Sequence, residues 1–498
     1  MHAVYPYTSN KNVLAAVSLA QKSEIHVQAI ELTRKMAEQH NIKQRVNQLP
    51  PEILSQVFMN CGDEYWIPKY IDCQTIVTAV CRHWRKVALN TPTLWTEIVV
   101  FDSDKEPYNF AALCLARSGP MTPLDIKIEL RSHFVPNSSR WEPSPRDLIQ
   151  RVCSAYEFLS AHRATTSRWR SFHLDTNVFG VLAHTIKLIQ TSPMPRLQSI
   201  QLLFENDPRI PERVRDPGPP EPLFLNHTSS QLRIAKFIGV PSPYLFGNTP
   251  RPQLTDLTCL ELEFLGAQPD FGQLGSMLSA NPRICVLDLS VSSDLDYDST
   301  LRPSSKYAPK IYLSSLRKLC MSYSPSTWVK DILGMIDAPS LRTFKLFTSY
   351  VDRREDPAEL LSCFVHQVAG SEPTPRFPLL KHFSYEPDWL GLDVLELFLI
   401  AYPKLTTFGL ELGPWLDVPL RTAQLLPNLT YLKVSEANRL DSLRQAITVW
   451  KDAGVPLTRV KVDVGLHWDF LREAAEAELK AIRELVKLIV VDDSGKRH

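Results

Sequence analysis

A pattern of three apolar positions recurs along most of the chain. Each copy has an apolar residue, two others, a second apolar residue, one other and a third apolar residue, as in "LQSIQL" from Leu197. The last two apolar positions alternate with period two, which predicts a short strand with one buried face. Eleven copies begin at Trp169, Leu197, Leu232, Leu257, Ile284, Leu316, Leu341, Leu380, Leu405, Leu429 and Leu457.

The segments between these strands complete a repeat. Helical patterns lie at residues 179–190, 359–369, 393–402 and 440–450, and a proline stands two residues before six of the eleven copies. One strand and one helix cannot bury their apolar faces alone, but stacked copies can. The copies begin 24 to 39 residues apart, and the shorter intervals are typical of leucine-rich repeats. We therefore predict degenerate repeats over residues 169–465.

The two ends of this array are predicted from the same patterns. Residues 96–168 are interpreted as a connecting or N-capping region. The segment "DFLREAAEAELKAIRELVKLIVV" (469–491) predicts a long helix, so residues 466–498 are interpreted as a helix that caps the last repeat.

The chain begins with a different pattern. Residues 1–23 are interpreted as a disordered start, and residues 24–45 as a leader helix, because Ile25, Ala29, Leu32 and Met36 fall on one helical face. Two interpretations of this helix stay open, namely packing on the next domain and coiled-coil pairing.

Residues 46–95 predict a small helical unit. Pro51 begins a helix with an apolar stripe of Ile53, Leu54, Val57 and Phe58. A second helical run places its apolar residues on one face, at Ile76, Val77, Val80, Cys81, Trp84, Val87 and Ala88. A unit of this size buries only about 60% of its surface. We therefore expect the unit to pack against another surface, either a partner protein or the chain's own repeats.

The composition limits which classes of partner and which cellular compartment are expected. The formal net charge is +1, which provides no argument for nucleic acid or an anionic membrane as the partner. Nine cysteines are widely spaced without a CxxC pair, which favours reduced thiols in the cytoplasm or nucleus. The apolar runs are shorter than the ~20 residues of a membrane span.

The sequence offers no local catalytic or metal motif. Phosphate-binding glycine loops, HExxH and GxSxG are absent, so we expect no catalytic residues, metal or cofactor. "DLDYD" (294–298) is interpreted as an acidic loop rather than a calcium site. Cys61, Cys73, Cys81 and His83 are interpreted as core and surface residues rather than a zinc site. An enzyme whose catalytic residues are dispersed along the chain stays an open alternative.

Residues 46–95 resemble an F-box-like domain. "LPPEILSQVF" (49–58), "VTAVCRHWRKVA" (77–88) and "PTLW" (92–95) carry the resemblance. The layout as a whole is similar to fungal F-box proteins with a leader helix and degenerate leucine-rich repeats, and "LARSGPMTPLDIKIEL" (115–130) is similar to the segment after the F-box in that group. The expected fold class is α/β, with a small all-helical F-box-like domain followed by a leucine-rich-repeat-like solenoid.

The resemblance implies a non-catalytic substrate-recognition subunit of a Skp–cullin–F-box ubiquitin ligase, and a repeat scaffold without ligase recruitment stays the alternative. The F-box would dock on a Skp-type adaptor and, through it, on a cullin–RING ligase. The implied docking residues are Leu49, Pro50, Ile53, Leu54, Val57, Phe58, Val77, Val80, Cys81 and Trp84.

The repeats would then hold an unidentified protein substrate. Strand alternation points the residues between the buried positions outward, and these include interface-prone aromatic and cationic types. The candidate substrate-binding residues are Lys345, Phe347, Tyr431, Lys433, Arg459 and Lys461. Glu261 and Glu263 come earlier on the same face, so the pattern predicts a face that is acidic early and basic late.

Overall fold

The structure is a computed structural model of the 498-residue chain. It describes residues 10–60, 73–101, 108–135, 140–205, 222–224, 231–246, 252–264, 270–291, 310–322, 326–347, 357–367, 371–386, 392–411, 419–435, 440–464 and 468–492. The chain divides into two compact units. Unit 1 is Met1–Ile98 with Tyr108–Leu124, and unit 2 is Val99–Pro107 with Asp125–His498.

Unit 1 is helical. Its helices are α1 (Asn10–Lys43), α2 (Pro51–Met59), α3 (Cys73–Val80), α4 (Arg82–Leu89) and α5 (Asn109–Ser118), with 3-10 turns at Arg45–Gln48 and Pro92–Trp95. The leader helix begins at Asn10, well before the predicted residue 24. The prediction of a disordered start is therefore wrong from residue 10 onward. Residues 12–20, "NVLAAVSLA", are mostly Ala, Leu and Val, and the alanines and leucines favour a helix without a polar face.

The predicted second helix of the F-box-like region is two helices. Cys81 has an extended backbone (φ −158°, ψ 171°), and its Sγ accepts a hydrogen bond of 3.5 Å from the backbone N–H of Trp84. Cys81 is thus the N-cap of α4 and not part of a continuous helical face. The apolar spacing alone could not mark this break, because cysteine is not among the preferred N-cap residues.

Unit 2 is built on one long sheet. Its order is β1-β2-β5-β6-β7-β8-β9-β11-β13-β16-β17-β18-β19-β20. The bounds are β1 Glu97–Phe101, β2 Leu124–Leu130, β5 Trp169–Thr176, β6 Ser199–Phe204, β7 Ile234–Ile238, β8 Cys259–Phe264, β9 Val286–Val291, β11 Lys318–Ser322, β13 Thr343–Phe347, β16 His382–Glu386, β17 Thr407–Glu411, β18 Tyr431–Ser435, β19 Arg459–Val464 and β20 Lys487–Asp492. The unit boundary falls within β1 and after the first residue of β2.

Every one of the eleven predicted strand positions forms a strand of this sheet. Each neighbouring pair from β5 to β20 is parallel. The sheet also extends beyond the predicted repeats in both directions. Its first two strands, β1 and β2, fall at 97–101 and 124–130, both within the predicted connecting region 96–168. The strand–helix repeats are therefore more numerous than the sequence pattern indicated.

Helices connect most of the strands. They are α6 Pro145–Ala161, α7 Phe179–Thr191, α8 Ser242–Phe246, α9 Phe271–Ser279, α10 Ser326–Met335, α11 Pro357–Ser362, α12 Leu392–Ala401, α13 Pro419–Leu425, α14 Leu440–Asp452 and α15 Trp468–Leu485. A further 3-10 turn is Thr166–Arg168. Three small two-stranded sheets pair β3 (His133–Val135) with β4 (Arg140–Glu142), β10 (Ile311–Tyr312) with β12 (Ile336–Asp337), and β14 (Val365–His366) with β15 (Thr374–Pro375).

Two predicted helices differ from the structure. In the described part of the segment 359–369, the short α11 ends at Ser362 and the strand β14 follows at Val365–His366. At the C-terminus the predicted capping helix is wrong at Lys487–Asp492, which is the strand β20, and Lys487 is in register with Arg459 of β19. The run "KLIVVD" is rich in β-branched residues, which favour a strand.

The recurring proline is explained by a turn. In six repeats the residue before the proline is buried, and its carbonyl accepts a hydrogen bond from the N–H of the residue that begins the pattern, as in Leu341 N–H to Ala338 O (3.1 Å). Proline is favoured at the second position of such a four-residue turn. The six pairs are Met194 with Leu197, Asn281 with Ile284, Ala338 with Leu341, Phe377 with Leu380, Tyr402 with Leu405, and Leu426 with Leu429.

Asn281 ties one of these turns to the preceding repeat. Its side chain is fully buried, donates to Leu254 O (2.8 Å) and Met277 O (2.7 Å), and accepts from Leu257 N (2.8 Å). We expect Asn281→Ala to lower the free energy of unfolding by about 2–4 kcal/mol, because it leaves buried backbone groups without partners.

Urea unfolding followed by circular dichroism checks this expectation. The matched control is Asn428→Ala, because the Asn428 side chain is exposed and donates one hydrogen bond to Pro403 O (3.0 Å). Equal shifts of the unfolding midpoint in both variants would contradict the assigned role of Asn281.

Candidate functional site

The predicted docking residues of unit 1 divide into two groups. Leu54, Phe58 and Val77 are at most 3% exposed, and Phe58 packs against Trp84 with ring centroids 4.9 Å apart. These three side chains form the core of the helical unit. Their prediction as adaptor contacts is therefore corrected, because a buried side chain offers no surface to a partner.

The remaining predicted residues reach the surface to different degrees. Ile53, Val57 and Val80 are 43%, 40% and 53% exposed. Pro50 is also exposed, whereas Leu49, Cys81 and Trp84 are half-buried. On α2, Ile53 and Val57 are four residues apart and therefore share one face, next to the buried stripe of Leu54 and Phe58.

Ile76 was not in the predicted docking set, yet it belongs to the same kind of surface. It is 40% exposed and lies four residues before Val80 on α3. We name Ile53 and Val57 with Ile76 and Val80 the exposed apolar pairs. The residues Val46, Met59 and Leu89 are also apolar and exposed, at 41%, 44% and 39%. The four-residue spacing was a usable signal for Ile76, which shares its helical face with Val80.

Polar contacts hold these helices in place. Trp84 donates from Nε1 to Asn47 Oδ1 (2.5 Å), and the buried Gln74 donates from Nε2 to Leu94 O (3.1 Å). Trp95 donates from Nε1 to Ala88 O (2.8 Å), and the Arg117 guanidinium lies 4.2 Å from its ring centroid. Sequence reasoning missed Asn47 and Gln74 because their partners are distant along the chain or are backbone atoms.

The second candidate surface is the open face of the long sheet. Along β13 the burial alternates, with Phe344 and Leu346 buried and Lys345 exposed between them. We call the face that carries the less buried side chains the open face. The predicted substrate residues all lie on it. Lys345 and Arg459 are exposed, and Phe347, Tyr431, Lys433 and Lys461 are half-buried.

Strand register groups these residues. Tyr431 is paired with Arg459, and Lys433 with Lys461, across β18 and β19. The Arg459 guanidinium lies 5.5 Å from the Tyr431 ring centroid, and Lys433 Nζ lies 5.0 Å from the Phe347 ring centroid. The structure therefore brings the six residues into one region of the open face.

The earlier part of the open face carries carboxylates. Glu261 forms an ion pair with Lys236 (2.6 Å) and is in register with Asp288. Burial, followed by the charge of Glu261, raises the pKa of Asp288 and that of Glu263. Burial and then the charge of Asp288 raise the pKa of the Cys320 thiol to about 11.

The raised pKa of Asp288 predicts a pH-dependent loss of stability. An acid whose pKa is higher in the folded state destabilises the fold above that pKa, and this effect is absent below its unfolded pKa of about 4. We therefore expect Asp288→Asn to raise the urea midpoint at neutral pH and to have little effect near pH 3. Asp175→Asn is the control and should not stabilise, because Asp175 forms an ion pair with Arg131 (2.7 Å). Stabilisation of equal size at both pH values would contradict the assignment.

Clusters of metal-binding side chains and cavities are the other places where a ligand could bind. In the described ranges no group of three or more His, Cys, Asp and Glu side chains is arranged to hold a metal ion. Cys61 and "DLDYD" lie outside those ranges. The Cys73 Sγ donates to Phe58 O (3.4 Å). A cavity of about 300 Å³ is lined by residues that include Phe246, Gln253 and Met277, and its one charged residue, Asp270, caps α9.

No helix in the described part of the chain combines the length and the apolar character needed to cross a membrane.

Comparison with known proteins gives a family for the region that holds the first candidate surface. Residues 46–100 match the family model described as F-box-like. No curated protein matches the chain. Among solved structures, the leucine-rich repeat-containing protein LegL7 from Legionella pneumophila is similar at 16% sequence identity and a TM-score of 0.35, over 63% of this chain and 88% of that chain. The family match and the strand pairing together show that this chain carries an F-box-like domain at residues 46–100, followed by strand–helix repeats on a parallel sheet.

Proposed function

We propose that this protein is a non-catalytic substrate-recognition subunit of a Skp–cullin–F-box ubiquitin ligase. The F-box-like match at residues 46–100 carries the proposal, because F-box domains bind Skp-type adaptors and through them cullin–RING ligases. In this function the chain performs no chemistry itself. It holds a protein substrate while other subunits transfer ubiquitin. We also expect the protein to act in the cytoplasm or the nucleus.

The exposed apolar pairs support adaptor docking. Each of the four side chains is at least 40% exposed in a helical unit whose own core is already filled by Leu54, Phe58 and Val77. Burying such aliphatic surface stabilises a complex by about 25 cal/mol per Å² removed from water. We assign the contact to Pro50, Ile53 and Val57 at and along α2, and to Ile76 and Val80 on α3. The half-buried Leu49, Cys81 and Trp84 complete the assigned set.

The open face supports substrate binding. Lys345, Phe347, Tyr431, Lys433, Arg459 and Lys461 are aromatic or cationic, and arginine and aromatic residues are enriched at interaction hot spots. All six lie on strands of one parallel sheet, so their spacing is set by backbone pairing rather than by loops. A rigid platform of this kind loses little conformational freedom when a partner binds.

A repeat scaffold without ligase recruitment is the second candidate. One observation favours it. The leader helix α1 contacts the F-box-like helices through an ion pair of 2.5 Å between Glu38 and Arg82 of α4. Part of the helical surface is therefore used within the chain. In this function the F-box-like unit would be structural and would bind no adaptor.

Co-purification separates the two candidates. The full chain is co-expressed with a tagged Skp-type adaptor, captured through the tag, and then supplied with a cullin–RING core. Recovery of the chain with both components at equal stoichiometry supports the ligase function. A chain that is folded by circular dichroism but is absent from the captured adaptor supports the scaffold function.

A further inference from the structure

Two small residues lie side by side in the middle of the open face. Ser384 of β16 is in register with Gly409 of β17. A Cβ at position 409 would lie 2.5 Å from Ser384 Oγ and 3.1 Å from its Cβ, so a side chain there would force Ser384 to move. In the same register row, Lys345 of β13 flanks Ser384 and Lys433 of β18 flanks Gly409. We call these four residues the lysine-flanked floor.

The side chain of Lys433 spans this floor. Its strand is three strands away from β13, which corresponds to about 14 Å at the usual spacing of parallel strands. Lys433 Nζ nevertheless lies 5.0 Å from the ring centroid of Phe347 on β13. The lysine and phenylalanine side chains must therefore reach toward each other across Gly409 and Ser384. A half-exposed cation–π contact of this kind is weak.

The hydroxyl of Ser384 lies beneath this contact. The residue is 7% exposed, and within the part of the chain that the structure describes its Oγ has no hydrogen-bond partner. Buried polar atoms in native proteins are almost always paired, so an unpaired one requires an explanation. A ligand that moves Lys433 would uncover this hydroxyl and supply its missing partner.

The charge of the surrounding surface indicates the sign of the charge that this ligand should carry. From β11 to β20, the titratable residues in the first two register rows are basic, apart from the Cys320 thiol and the Tyr431 phenol. The basic residues are Lys318, Lys345, His382, Lys433, Arg459, Lys461 and Lys487. Burial and the charges of Lys381 and Lys345 lower the pKa of His382, which reflects the positive potential there. Carboxylate residues occupy only the third register row, at Glu386, Glu411 and Asp463.

We propose that the lysine-flanked floor binds an acidic segment of a protein partner, extended across strands β13 to β19. This inference rests on the proposed role of the repeats as the substrate-binding surface, and it adds the chemical class of the substrate. Carboxylates or phosphates of the segment pair with Lys345, Lys433 and Lys461, and its backbone pairs with Ser384 Oγ. The five strands cover about 19 Å, which an extended peptide spans with about six residues.

The third register row favours a peptide over a nucleic acid. A phosphate backbone needs cations along its whole width. Here a basic band about two register rows wide borders a row that contains Glu386, Glu411 and Asp463. An acidic segment that lies along the basic rows can turn its own basic or neutral residues toward the carboxylates.

Fluorescence anisotropy with the full-length protein tests the proposal. The probes are labelled peptides of about ten residues, with glutamate, phosphoserine or glutamine at alternate positions, and a single-stranded RNA. We expect the glutamate and phosphoserine peptides to bind more weakly as salt is raised, and the glutamine peptide to bind at least tenfold more weakly than either. Glutamate binding alone identifies a constitutive acidic segment, and phosphoserine binding alone identifies a phosphorylated one.

Two variants and one control locate the site. Lys345→Glu with Lys461→Glu should weaken acidic-peptide binding at least tenfold. The control is Lys187→Glu with Lys480→Glu, because these exposed lysines lie on helices α7 and α15 and the net charge changes equally. Ser384→Ala should weaken binding severalfold without lowering the melting temperature, since the free protein loses no hydrogen bond. Equal binding of the glutamine peptide, equal losses in the control, or tighter RNA binding overturns the proposal.

The result of the peptide-binding test can be distinguished from the result of the adaptor-capture test, which tests the proposed function. Adaptor capture is measured on the same preparations of the wild type and the Lys345→Glu, Lys461→Glu variant. Adaptor capture without acidic-peptide binding overturns this inference and leaves the ligase function standing. Peptide binding without adaptor capture supports this substrate class and removes the ligase function.

Discussion

Replacing Ile53 and Val57 together by serine is expected to reduce capture of the chain by a Skp-type adaptor more than tenfold. The two side chains lie four residues apart on the outer face of α2 and are 43% and 40% exposed. Removing two aliphatic anchors from an interface of this kind costs about 1.5–3 kcal/mol, and 1.4 kcal/mol corresponds to a factor of ten in affinity. Quantitative pull-down or calorimetry with purified adaptor measures the loss.

Folding and docking are distinguished by the choice of control. The melting temperature of the double variant should stay within a few degrees of the wild type, because both side chains already contact water. Leu113→Ser is the matched control, since Leu113 is an aliphatic residue of α5 that is 40% exposed in the same unit and lies outside the predicted docking set. If Leu113→Ser reduces adaptor capture as strongly as the double variant, the assigned docking face is wrong.

Phe364→Ala is expected to lower the stability of the repeats by about 3–5 kcal/mol. Phe364 is fully buried between α11 and β14, and its ring makes edge-on contacts with four other phenylalanine rings, at centroid distances of 4.7, 5.4, 5.6 and 6.1 Å. These rings belong to Phe344, Phe383, Phe377 and Phe398. A cavity at position 364 removes contacts within two consecutive repeats at once, those that begin at Leu341 and Leu380.

Hydrogen exchange is the measurement best suited to this variant, because a repeat array can open locally. We expect amides of β13, β16 and β17 to lose protection, with smaller changes in β5 and β6. Phe347→Ala is the control, since that ring is half-buried on the open face of the same strand β13. Comparable loss of protection in the control would mean that the edge-on aromatic cluster does not hold these repeats together.

The strands were predictable because the information is local and is repeated. Each repeat places two alternating side chains in the core, as with Phe344 and Leu346, and in six repeats the turn before the strand has a buried residue followed by proline, as with Ala338 and Pro339. A solenoid contacts mainly its neighbours, so each copy carries the same constraints. The strand β20 was missed although Leu485, Leu488 and Val490 match the three-position pattern, because they directly follow α15 and continue its apolar helical periodicity.

The surface proposed for docking was predictable only in part. The stripe Ile53, Leu54, Val57 and Phe58 contains two adjacent apolar faces, and spacing does not say which one is buried. Packing of Phe58 against Trp84 selects the inner face. The break at Cys81 likewise depends on a single N-cap hydrogen bond, which hydrophobic spacing does not encode.

The sequence by itself determined the class of each segment, namely a helical F-box-like unit and a series of parallel strands, because apolar periodicity follows backbone geometry. The tertiary structure decided which apolar residues remain exposed and which distant residues meet, such as Lys433 with Phe347 across Ser384 and Gly409. Those outcomes depend on strand register and helix packing, which are set by the whole array and not by any single stretch of the chain.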